Sequence, residues 1–227
     1  MGINAILGGF ALLFSCIIGS VTHATVLTGN GVHTINGPES NVSAYDQATV
    51  ELVSGADVAW LYMNAQSRLD VLEGLASWVY MYADSRAAIR GGDLSWLKLY
   101  GNSSANITNG NISWLQIFET SSASILKADI SWLVVGGASR ADIYGRNFTY
   151  SGGHLSGNWT DGTPFSFWAL EGDAQGVPNV VGIYSQLPDN IVLHTVPVPS
   201  TAYLILLALP LLAGVHSRWR FGGSPSV

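Results

Sequence analysis

Tryptophans stand at positions 60, 78, 96, 114 and 132, each eighteen residues after the last. A short, fixed period constrains a fold more than composition does, because one structural unit must follow itself without a break. Five copies run end to end: DVAWLYMNAQSRLDVLEG (57–74), LASWVYMYADSRAAIRGG (75–92), DLSWLKLYGNSSANITNG (93–110), NISWLQIFETSSASILKA (111–128) and DISWLVVGGASRADIYGR (129–146). No insertion separates them. A weaker copy precedes at 39–56, with Val42 in the tryptophan column and Tyr45, Thr49 and Val53 in phase. Leu27 and Ile35 keep the phase one unit earlier, so the first unit begins near Thr25.

The columns show what the repeat needs. Leu61, Val79, Leu97, Leu115 and Leu133 follow the tryptophans, and Met63, Met81, Leu99, Ile117 and Val135 lie two further on. A hydroxyl column (Thr49, Ser67, Ser85, Ser103, Ser121, Ser139) precedes a small one that includes Ala87, Ala105, Ala123 and Ala141. An aliphatic column follows, ending Ile89, Ile107, Ile125, Ile143. Spacing by two is the strand period, and Gly101-Asn102 and Asn109-Gly110 supply turns between strands. Eighteen residues is too short for a helix-pair unit of about 33, but suits one coil of a parallel β-solenoid. Coils would stack at about 4.8 Å, each side chain on its own equivalent. One inserted residue would turn later side chains to the wrong face, which explains the strict period.

The left-handed β-helix also has eighteen-residue coils, built as three hexapeptides with an aliphatic residue every six. Here the position six before the Val/Ile column is mixed (Ala65, Ala83, Gly101, Glu119, Gly137), so a right-handed or flattened solenoid is expected. The predicted fold is all-β: solenoid over 25–146, regular from 39. A strand-rich cap follows over 147–195, with turn signals at Gly152-Gly153, Asp161-Gly162 and Pro164. Phe165, Phe167 and Trp168 are candidates to cover the open last coil.

The tryptophan ladder has two readings. Trp60 and Leu61 are adjacent, so a flat strand sends them to opposite faces, whereas a bend between them would turn both inward. Burial is the expectation, since five bare indoles would be an aggregation liability. An exposed ladder of Trp60, Trp78, Trp96, Trp114 and Trp132 would instead be a shelf for stacking glycan rings.

Hydrophobic residues make up 48% of the chain and charged residues 11%, which directs attention to the ends. Ile6–Val21 is an apolar run followed by Thr-His-Ala, with small residues at Thr22 and Ala24, the pattern of a signal peptide over 1–24 removed by signal peptidase. The lone Cys16 lies inside it, so no internal disulfide is expected. Near the other end, Val196-Pro197-Val198-Pro199-Ser200-Thr201 precedes an apolar stretch, 202–215, and then Arg218 and Arg220. That stretch is a short membrane helix candidate with positive charge on its far side.

This three-part tail, 196–221, resembles the PEP-CTERM sorting signal of Gram-negative bacteria, with Val198 where the family usually has Glu. The repeat, best seen in LYGNSSANITNGNISWL (99–115), resembles the tandem coils of exported PEP-CTERM and autotransporter-adhesin proteins. The resemblance implies an exosortase-type membrane protease as partner and a location at the membrane, cell surface or extracellular matrix. An envelope, biofilm or exopolysaccharide role goes with it, and an extracellular polysaccharide is an implied partner.

No catalytic constellation appears in the sequence. The five histidines have no ligand spacing, and phosphate-loop and nucleophile-elbow motifs are absent. Asp57, Asp93, Asn111 and Asp129 at the repeat starts read as turn residues, and no nonapeptide calcium motif accompanies them. Arg68, Arg86 and Arg140 read as a solvated face, with Asp70 and Asp142 two residues on. A net charge of −6 with no basic cluster argues against nucleic acid. The expectation is a non-catalytic exported surface or matrix protein without cofactor or metal. The alternative is a carbohydrate-binding or adhesion module using the tryptophan ladder.

Overall fold

The computed structural model describes residues 24–173, 178 and 186–197, and its seventeen strands join one sheet. Each coil contributes two strands. The first coil is β1 (Ala24–Leu27) and β2 (Val32–Ile35), the second β3 (Pro38–Ala44) and β4 (Thr49–Leu52). Next come β5 (Asp57–Met63) with β6 (Arg68–Val71), β7 (Leu75–Met81) with β8 (Arg86–Ile89), and β9 (Asp93–Leu99) with β10 (Ser104–Ile107). The last two are β11 (Asn111–Ile117) with β12 (Ser122–Ile125) and β13 (Asp129–Val135) with β14 (Arg140–Ser151). Every strand pairs in parallel with its equivalent one coil on: Trp60 with Trp78, Leu97 with Leu115, Ile107 with Ile125. The fold is a parallel β-solenoid of seven coils, and from β5 onward the rungs are eighteen residues apart.

Apolar columns build the core. Leu61, Val79, Leu97, Leu115 and Leu133 are fully buried, as are Val71, Ile89, Ile107, Ile125 and Ile143. A further inward column, Val58, Ala76, Leu94, Ile112 and Ile130, opens each coil. Burying one aliphatic side chain contributes about 1.5–3 kcal/mol, and each rung repeats that gain at equivalent positions.

The first strand of each regular coil bends before its tryptophan. Pairing skips one residue there (Ala59, Ser77, Ser95, Ser113, Ser131), and two successive residues then point outward between buried neighbours. The turn between the two strands of a coil also repeats. Its second residue is left-handed in every coil: Gly29, Asp46, Ala65, Ala83, Gly101, Glu119 and Gly137, with φ between 54° and 82°. This explains the mixed column that breaks the hexapeptide pattern: backbone geometry selects it, not burial. The turns are bonded rung to rung as the strands are. Tyr100 N–H donates to Met81 O at 2.9 Å, and Asn102 N–H to Ala83 O at 2.9 Å, so turn backbone groups also find partners.

The weak copy at 39–56 is shifted by one residue from the sequence alignment. Asn41, not Val42, pairs with Trp60, and Val42 pairs with Leu61. Ala48, fully buried, takes the place of the serines, while Thr49 pairs with Arg68. Tyr45 is exposed, and Ala44 and Leu52 fill the core instead. The cause is a longer turn: 53–56 joins β4 to β5, where 72–74 joins β6 to β7. Contrary to the expectation that any inserted residue would turn later side chains to the wrong face, an extra residue in a turn leaves the inside and outside of each strand unchanged, so the strict register applies within strands only.

After the seventh coil the chain makes a detour. β14 runs on beyond the coil and pairs antiparallel with β15 (His154–Trp159), which pairs antiparallel with β16 (Pro164–Glu171). β16 then lies parallel to β13, placing Trp168 opposite Trp132. β17 (Ile191–Thr195) lies parallel to β14. The strand-rich ending therefore supplies an eighth rung as well as a cover. Phe167 joins the buried core with Leu155 and Trp159, whereas Trp168 continues the outer ladder. No helix among the described residues is long and apolar enough to cross a membrane. The candidate membrane helix, and the leader apart from Ala24 in β1, lie outside the described residues.

Candidate functional site

The tryptophan column, the arginine column and the Asp and Asn residues that open the coils lie on the outer faces of the rod. The tryptophans face outward, contrary to the burial expected of them. Trp60 is 38% exposed, and Trp78, Trp96, Trp114 and Trp132 are half-buried. The bend falls one residue earlier than a buried ladder would require, so Leu61 and its equivalents go in and the indoles go out. Successive indoles stack at 5.3, 4.8, 4.7 and 4.8 Å with planes within 8°. Trp168 adds a sixth ring at 5.2 Å. Its position is legible after the fact: 168 is two whole periods after 132. Rings in such an offset stack cover one another's faces, so the aggregation hazard of bare indoles is largely removed by the stack itself. It also leaves little open ring face for a sugar.

A second aromatic row runs beside the first. Tyr62 stacks on Tyr80 at 5.2 Å, and Tyr82, Tyr100 and Phe118 stack around the turn. Lys98 takes the next place after Tyr80, and its Nζ lies 5.0 Å from the Trp96 ring and 5.6 Å from Trp78. Partial burial lowers its pKa from the usual lysine value. Burial likewise raises Tyr80, Tyr82 and Tyr100, with neighbouring tyrosines adding to the effect.

The arginine column divides in two. Arg140 Nε and Nη2 donate to Asp142 at 2.7 and 2.6 Å, and His194 Nε2 lies 2.6 Å from the same carboxylate. The Arg140 hydrogen bond is the main reason that Asp142 sits below the usual carboxylate range. Asp70, by contrast, accepts from Arg90 Nη1 at 2.8 Å. Arg68 and Arg86 face each other across adjacent rungs with no ion pair among the described residues.

Asp57, Asp93, Asn111 and Asp129 begin strands and are exposed, in one column with Leu75. No group of three His, Cys, Asp or Glu side chains able to hold a metal occurs among the described residues. Of the tail motif, Val196 and Pro197 are described and exposed. Val196 N–H donates to Gly145 O at 2.9 Å, fixing the start of the tail to β14. Val198, Pro199, Ser200, Thr201, Arg218 and Arg220 lie outside the described residues.

Fold and surface together define a β-solenoid with a stacked aromatic face and a polar face. Comparison with protein-family models, with curated proteins and with solved structures returns no match.

Proposed function

We propose that this chain is a non-catalytic rod exported from the cell, released from its leader by signal peptidase and sorted through its C-terminal tail by an exosortase-type membrane protease. In this reading it works at the cell surface or in the extracellular matrix, in an envelope, biofilm or exopolysaccharide setting. The observation that carries the reading is one of layout. In sequence, a parallel β-solenoid with long lateral faces lies between an apolar leader-like segment and a tail with a Pro-rich start, an apolar stretch and Arg218 and Arg220 beyond it. A rod of stacked coils offers extended surface for structural or adhesive contact.

Fractionation tests it. The intact chain is expected in membrane, surface or matrix fractions, and a truncation after Pro197 is expected to lose membrane retention. Finding the intact chain in the cytosol would overturn the reading. A carbohydrate-binding role for the ladder has one observation in its favour, the outward direction of the indoles. Trp60, at the start of the stack, is the ring with most exposed area for such a contact.

A further inference from the structure

We infer that the lateral groove around Arg68 and Arg86 binds a carboxylate-bearing polysaccharide. The groove, of about 510 Å³, is lined in part by Asn30, Gln47, Gln66, Arg68, Asp84 and Arg86. It lies along the second strands of the coils, away from the tryptophans on the first strands. The two guanidinium groups come from directly paired positions on neighbouring rungs, where like charges repel. No nearby carboxylate forms an ion pair with either guanidinium among the described residues, although Asp84, also in the lining, keeps its negative charge and leaves the groove with a net positive charge of one. Asp70 takes Arg90, Glu51 accepts from Thr34 Oγ1 at 3.1 Å, and Asp84 accepts from Asn102 Nδ2 at 2.7 Å. Asp46 accepts the Gly29 N–H at 3.1 Å. In the same column Arg140 is fully engaged by Asp142. A pair of free guanidinium groups is suited to fork-on-fork recognition of a carboxylate.

The rest of the groove selects among anions. Asn30, Gln47 and Gln66 succeed one another rung by rung and offer amide donors and acceptors to a row of hydroxyls. Their spacing of about 4.8 Å is close to one sugar unit of an extended chain. No aromatic side chain lines the groove to stack a nucleobase. The inference depends on the exported reading only for where such a glycan would be met.

Titration of the purified full chain with oligogalacturonate at low ionic strength, against a neutral glucan of equal length, tests it. The acidic oligomer is expected to bind and the neutral one not. Arg68→Gln with Arg86→Gln should weaken binding about ten-fold or more, and Arg140→Gln should leave it unchanged. The double variant, relieved of repulsion, should melt no lower than the parent, which shows that it folds. Absence of binding, binding indifferent to the double change, or equal binding of polyglutamate or duplex DNA would overturn the inference. None of these results bears on fractionation, so the two proposals fail separately.

Discussion

Ser85 and Ser121 occupy equivalent buried places and are held differently. Ser121 Oγ accepts from Phe118 N–H at 3.1 Å and donates to Phe118 O at 2.6 Å, with Leu99 O also in reach. Ser67, Ser85 and Ser103 place the same oxygen where no partner reaches it among the described residues. Loss of a satisfied hydroxyl costs about 1 kcal/mol, whereas loss of an orphan costs nothing or gains. Ser121→Ala should therefore lower stability by about 1 kcal/mol in denaturant unfolding, and Ser85→Ala should leave it equal or higher. The left-handed column gives a second contrast. Ala83 holds φ at 54°, a conformation that costs an L-residue about 1–2 kcal/mol. Glycine removes that strain but adds entropy to the unfolded chain, so Ala83→Gly should gain about 0.5–1 kcal/mol. Gly101→Ala should lose more than that, because its new Cβ would also sit 2.9 Å from Ala83 N. The sequence shows this column only as a failed hexapeptide, since a turn position reveals its backbone angle weakly when Ala and Glu occupy it.

Among elements, the aromatic ladder shows how far pattern reading reaches. Strands, core columns and their order follow from period two inside period eighteen, because burial selects side chains at those positions. The direction of the indoles does not follow. It depends on the bend at Ala59 and its equivalents, and Ala or Ser at a corner looks like Ala or Ser anywhere. The shift in the second coil leaves no mark in the sequence for a similar reason: a one-residue change of turn length leaves both strands looking regular. Ladder energetics should depend on position. Trp96 has indoles on both sides and Trp60 only one. Trp96→Ala should cost about 2 kcal/mol, less than a fully buried tryptophan, and Trp60→Ala about half that, by thermal or denaturant unfolding. The eighth rung has its own weak point in Asp142. Its pKa is depressed, so its contribution is present above the ordinary aspartate value of about 3.9 and is lost as pH falls through the lower folded value. Protection factors for β17 amides should drop in acid ahead of those in β10, and Asp142→Asn should remove that difference.

For the whole molecule, stability is spread along a row of similar rungs, each bonded to its neighbours. Register then governs tolerance of insertions. One residue added to the turn at 108–110 should be accommodated, as the longer turn 53–56 already is. One residue added between Leu97 and Lys98 should abolish cooperative unfolding, because it would turn core residues of that strand outward. The eighth rung is the part least visible in the sequence, since the β14–β15–β16 detour displaces Trp168 by a full period from where a simple repeat would place a tryptophan. Distances between spin labels in a Cys16→Ser background test the stacking itself. With one label at Gln47 and the second at Asn102, Thr120 or Ala138, the mean separation should rise by one rung each time, from about 14 to about 19 to about 24 Å. Separations that do not climb in equal steps of about 4.8 Å would contradict the in-register rod.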